Sequence, residues 1–177
     1  MIAGHMPFLA VSSGSMAPLF RVGDEVGVQP VKLHQLHVGD VVVICDHNQL
    51  LTHRFWGRQP GGSNTEFRTR GDRSLTYDRP WSEYQLLGRV VVRRRQHNLL
   101  WLDYGLGRWL NGRLARLAQH EQRWLGSFPF LWIARRNQLM TSRLFRVFMR
   151  TWATALTVAV EKFARPAQSP SSRSSRF

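Results

Sequence analysis

The sequence is short of lysine, of acidic residues and of cysteine, and each shortage narrows what the chain can be. Lys32 and Lys162 are its only lysines, so the 25 basic residues are nearly all arginine; against 11 Asp and Glu they leave a formal net charge of +14. A balance this basic points to an anionic partner. The single cysteine, Cys45, excludes an internal disulfide, and no oxidising compartment is implied. It sits in an apolar run and reads as a small buried hydrophobe. Long apolar runs are also missing. Met1 to Val11 has neither the basic start of a secretory signal nor the roughly 20 apolar residues of a membrane span. Thr151 to Val160, the longest uncharged run near the other end, is too short to cross a bilayer.

What is present argues for a folded protein. The 177 residues are 43% hydrophobic and include seven tryptophans, enough for one sizeable core or for a domain of about 90 residues with an appendage. Charge divides the chain. Residues 1–90 carry nine Lys and Arg against eight Asp and Glu, whereas residues 91–177 carry sixteen against three. The anionic partner is therefore expected at the C-terminal half.

Pattern divides it in the same way. Glu25 to Val28, Val41 to Ile44, Leu50 to Trp56, Phe67 to Thr69 and Leu86 to Val92 are short β-type runs punctuated by Gly-Asp turns. Gly57 to Thr65 has the composition of a loop. After Arg95, Leu106, Leu110, Leu114 and Leu117 recur at helical spacing among arginines, and a break follows at Gly126-Ser127-Phe128-Pro129. A second helix presents Leu144 or Phe145, Phe148, Trp152, Leu156, Ala159 and Phe163 as its apolar stripe, with Arg143, Arg146 and Arg150 largely off it. The expected fold is a mainly β domain over residues 1–95, a basic amphipathic helical region over 96–165, and a disordered Ser-, Pro- and Arg-rich tail over 166–177.

Chemistry concentrates in Ser12-Ser13-Gly14-Ser15-Met16-Ala17-Pro18-Leu19-Phe20, three hydroxyls around one glycine. Glycine frees the backbone for a tight turn and proline fixes its exit, which suits a nucleophile better than a core strand does. Val22-Gly23-Asp24, Val38-Gly39-Asp40 with the Val41 to Ile44 run, Leu50 to Phe55 with His53, and Arg70-Gly71-Asp72 with Asp78 follow in order. In that order and spacing, over about residues 8–93, the chain resembles the signal peptidase I family of membrane-associated serine endopeptidases. It is more similar to the branch with a histidine base, the endoplasmic-reticulum and archaeal type.

The resemblance implies a role for each residue. Ser15 takes the nucleophile position and His53 that of the general base; Lys32 and Lys162 match no base position, which excludes a Ser-Lys pair. A serine needs a neighbouring base, and the base a third group to orient it. Asp78 is the expected third group and Asp72 its alternate, while Arg73 and Arg79 could instead neutralise both acids as ordinary ion pairs. Ser13 matches a position that helps the Ser15 backbone N–H form an oxyanion hole, and it fits a turn-capping serine equally well. Met16, Leu19 and Phe20 fit the wall of a substrate groove and equally a hydrophobic core. No metal and no organic cofactor is implied.

The implied substrate is an extended polypeptide, a signal or leader peptide, cut after small residues while bound as an added strand. Two other functions compete. A self-cleaving regulator of the SOS-repressor type shares a Ser-Met-x-Pro box, but it uses a lysine base and needs more chain ahead of the serine. A catalytically dead basic adaptor for membrane or nucleic acid has no chemical need for Ser15, His53 and both aspartates together. The arginine-rich helices have three readings: packed on the β domain, laid on an anionic membrane surface, or bound to nucleic acid, for which no recognised motif is present. The family places a spanning helix just before the serine; without one, the expected location is cytoplasmic or peripheral to the cell membrane.

Overall fold

The β-type runs form eight strands: β1 Phe8–Ala10, β2 Glu25–Gln29, β3 Val41–Asp46, β4 Gln49–Arg58, β5 Glu66–Arg70, β6 Trp81–Ser82, β7 Leu86–Arg95 and β8 Asn98–Trp101. Two helices follow, α1 Gly105–Gly126 and α2 Arg135–Phe163. The computed structural model describes residues 6–61, 65–126 and 135–163, with the backbone alone described at 124–126 and 135–145. Residues 127–129 and the tail at 166–177 lie outside the described residues.

The strands make one antiparallel sheet in the order β1-β2-β7-β3-β4-β5-β6, with β8 also paired to β7. Strand β3 explains how it is covered. Side chains alternate between faces along a strand. Val41 and Val43 enter one core, with Met16, Phe20, Leu110, Leu114 and Ala153; Val42 and Ile44 enter another, with Phe55, Phe67 and Trp81. A run of four buried aliphatics is therefore a strand covered on both sides, and each fully buried side chain of this size contributes about 1.5–3 kcal/mol. Cys45, one residue further along, is only half-buried.

The boundary expected after residue 95 falls inside a hairpin. Arg95 of β7 pairs with Asn98 of β8, so the sheet runs on to Trp101, and α1 and α2 supply part of the first core. The helices are packed elements of the fold. Leu110 and Leu114 of α1 are buried as their spacing predicts, with Leu117 packed beside them, while Leu106 is exposed. Gly39 admits α1 at close range. Its φ is +100°, and a Cβ there would stand 3.2 Å from that of Ala115.

Helix α2 is rotated from the expected stripe. Ala153, Thr157 and Val160 are buried, with Leu156 packed beside them, whereas Phe148, Trp152 and Phe163 are 64, 49 and 83% exposed. Leu144 and Phe145 lie among residues whose side chains are not described. Helix α2 packs chiefly on α1, and Glu161 ties it to β7 by pairing with Arg93, at 3.1 Å, and with Arg95. Arg95 in turn forks onto the buried Asp24, at 2.7 and 2.6 Å. Among the described residues, no helix is long and apolar enough to cross a membrane.

Candidate active site

Ser15 stands on a tight turn closed by the Ala17 N–H donating to the Gly14 carbonyl at 3.1 Å. The very next residue, Met16, is buried in the core, which anchors the turn from behind. His53 reaches the same place from β4, where it pairs with Val42 of β3, and its side chain is buried against the sheet. Its Nε2 lies 3.2 Å from Ser15 Oγ. The other ring nitrogen, Nδ1, lies 2.6 Å from Asp78 Oδ2. A carboxylate only accepts, so Nδ1 carries the proton and Nε2 offers its lone pair to the serine.

Asp78 is itself held. Its backbone N–H donates to the Thr69 carbonyl at 2.9 Å, and the Thr69 hydroxyl donates to Oδ2 at 2.6 Å. The Trp81 indole N–H donates to that hydroxyl at 2.8 Å. Trp81, Thr69, Asp78, His53 and Ser15 thus form one hydrogen-bonded chain whose two arms both donate toward the Asp78 carboxylate. Thr69 and Trp81 are the members that sequence reasoning missed: a threonine in a β-run and a tryptophan beside a proline carry no signal of this pairing. Ser13 Oγ lies 3.2 Å from Ser15 Oγ, within reach of a charge that develops beside the serine.

Asp72 is not in that chain. Both of its oxygens accept from the guanidinium of Arg54, from Nε and Nη2 at 2.7 Å each. Arg54 is fully buried, and its Nη1 donates to the Gly39 carbonyl and to Asn111 Oδ1, at 2.6 Å each. Strand alternation sends Arg54 to the opposite face from His53, so one Asp goes to each. This corrects the reading of Asp72 as an alternate for Asp78: the fork holds the loop that backs the serine. Arg79 neutralises neither acid, being paired with Asp46. The backbone N–H of Arg73 donates to the Ser15 carbonyl at 2.9 Å.

No family model and no curated protein matches this chain. The assignment of roles therefore rests on geometry. Ser15, Ser13, His53 and Asp78, drawn from separated segments, converge at hydrogen-bonding distance. Met16, Leu19 and Phe20 do not line a groove: all three are buried in the core shared with α1 and α2. Their apolar character anchors the turn. Among the described residues, no group of three His, Cys, Asp or Glu side chains is placed to hold a metal ion.

Gly71 closes the site on its far side. A Cβ there would lie 3.0 Å from His53 Nε2, 3.1 Å from the Ser15 carbonyl oxygen and 3.3 Å from Ser15 Cβ. An added methyl must push the histidine and serine apart. Gly71→Ala is expected to lower any Ser15-dependent rate by about tenfold, less than the roughly 100-fold of a full 1 Å misplacement because the neighbours need give only a fraction of that, while the melting temperature moves little. Rate and thermal melt measured on one preparation check this.

Behind the serine turn, Glu121 of α1 shares a small cavity with Ala17, Pro18, Asp72, Arg73 and Arg150. Burial holds its carboxyl above the ordinary glutamate value of 4.5, against the opposing pull of Arg150, Arg70 and Arg146. A raised folded-state value means that the native state binds more protons than the unfolded state. Stability from this group is present below pH 4.5 and lost as pH rises through the folded value. Glu121→Gln, neutral throughout, is expected to melt higher than the parent at pH 7 and to lose that advantage at pH 4. Paired melts at the two pH values check the sign.

Proposed function

We propose that this chain is a serine endopeptidase of signal-peptidase type, cutting an extended polypeptide by a Ser-His-Asp mechanism. One observation carries the reading: Asp78, His53 and Ser15 are aligned at 2.6 and 3.2 Å, with the acid on the far nitrogen of the base. Ser15 Oγ attacks the scissile carbonyl as His53 Nε2 takes its proton. The imidazolium, stabilised by Asp78, then gives that proton to the leaving amine. Water, deprotonated by the same nitrogen, hydrolyses the acyl-serine and restores the hydroxyl. Ser13 and the Ser15 backbone N–H are the proposed donors to the oxyanion.

The arginine-rich helices give the reading a place to work. The exposed Phe148, Trp152 and Phe163 of α2, on a helix that also carries Arg150 and Lys162, support docking on an anionic membrane surface. The test is cleavage of a preprotein panel, in detergent and in anionic liposomes, by the parent, Ser15→Ala and His53→Ala. Cutting by the parent that both variants lose supports the proposal. No cutting, or cutting that survives Ser15→Ala, overturns it.

A further inference from the structure

A second feature lies away from Ser15. A cleft of about 830 Å³ opens between α1 and the turn that leads into β3, with guanidinium groups from Arg89, Arg108, Arg113 and Arg116 and the indoles of Trp56 and Trp109 on its walls. The volume falls within the usual range for ligand sites. Its charge is one-sided. Asp40 and Asp103 are the only carboxylates of the lining, and Asp40 lies 3.8 Å from Arg89 Nη1. Arg113 stacks over Trp109, and Arg108 and Arg116 have no carboxylate partner among the described residues.

Guanidinium forks supply geometry as well as charge, and they match carboxylates in pairs. A ligand rich in carboxylates fits a lining with four arginines.

The cleft is joined to the serine site by a single side chain. Arg54 donates to Gly39 and Asn111, which line the cleft, and forks onto Asp72, beside the Gly71 that packs on Ser15 and His53. The cleft is thereby coupled to the loop that backs Ser15. We propose that the cleft is an exosite for an acidic segment of the polypeptide substrate, rich in Asp or Glu. This rests on the peptidase reading for its purpose, although the binding itself does not depend on cleavage. The arginine excess of the lining calls for an acidic occupant, and the peptidase reading makes that occupant a polypeptide rather than a nucleic-acid strand. Occupying two sites on one chain raises the local concentration at the second.

The test uses the full chain and the triple variant Arg108→Gln, Arg113→Gln, Arg116→Gln, all exposed positions outside the serine site. A fluorescein-labelled Glu-Gly repeat peptide is titrated by anisotropy, beside its Gln-Gly counterpart and an oligothymidylate of equal charge. The parent is expected to bind the Glu peptide about tenfold tighter than the triple variant, as for a few exposed ion pairs, and to ignore the Gln peptide. The corresponding Arg→Lys triple variant, which keeps charge but loses the fork, should fall between. Equal binding by parent and Gln variant overturns the proposal; so does an oligothymidylate that binds tighter and loses more. In a second arm, a cleavable polypeptide with a Glu-rich flank should show a raised KM and unchanged kcat in the triple variant, and the same polypeptide with Gln should show neither. Absence of all cleavage by the parent would count against the peptidase reading alone, since the anisotropy arm still decides the exosite.

Discussion

His53→Ala is expected to lower cleavage by roughly 10⁴-fold or more, Ser15→Ala by as much, and the double variant by no more than either single one. The non-additivity is the informative part. Ser15 Oγ and His53 Nε2 stand 3.2 Å apart, and in the proposed mechanism they act on one proton, so removing either leaves the other without a task. Asp78→Asn adds a sharper test. An amide in place of the carboxylate can donate to Nδ1, favouring the tautomer in which Nε2 holds the proton and cannot take one from Ser15. A loss of about 10⁴-fold is expected, as for a tautomer error that leaves the geometry largely intact. Thr69 meets the same Oδ2 as Nδ1, so an amide nitrogen there also removes its acceptor, and a loss of about 1 kcal/mol of stability should accompany the rate effect. Single-turnover rates and thermal melts of the four variants check all of this; additive losses in the Ser15 and His53 pair would sink the shared-proton mechanism.

Asp72→Ala is expected to be the most destabilising single substitution at a charged residue. Arg54 is fully buried, and Asp72 supplies the only negative charge among its described partners; the others are a carbonyl and an amide oxygen. Removing the acid leaves an uncompensated buried cation, which costs about 3–5 kcal/mol. Arg54→Met with Asp72→Ala removes both charges together and should recover part of that loss, because it ends the desolvation penalty as well as the attraction. Chemical denaturation of the two variants gives the numbers. A double variant no more stable than Asp72→Ala would mean that the bonds from Arg54 to Gly39 and Asn111 dominate. Activity should fall in both variants, since the fork holds the loop behind Ser15.

The pieces that depend on local pattern were legible from residue order alone. Alternating and continuous aliphatic runs between Gly-Asp turns placed β2, β3, β4, β5 and β7, since a strand's period and its turn residues are local properties. Leucines at helical spacing placed α1 for the same reason. The Ser-Gly-Ser turn, His53 and the two aspartates were legible as a constellation through their order along the chain. What order could not settle was which acid faces which base. Asp72 and Asp78 are six residues apart on one connection, and only the register of β4 against β5 sends Arg54 to the first and His53 to the second. Thr69 joined the chain of bonds by the same pairing, and Trp81 by that of β5 with β6. Tertiary packing also decided the fate of apolar residues that fit two roles. Met16, Leu19 and Phe20 became core because α1 and α2 close over them, and α2 turned Phe148, Trp152 and Phe163 outward because Glu161 pairs with arginines on β7. A short-range pattern fixes which residues are apolar or paired in sequence; contacts between residues tens of positions apart fix what each of them meets.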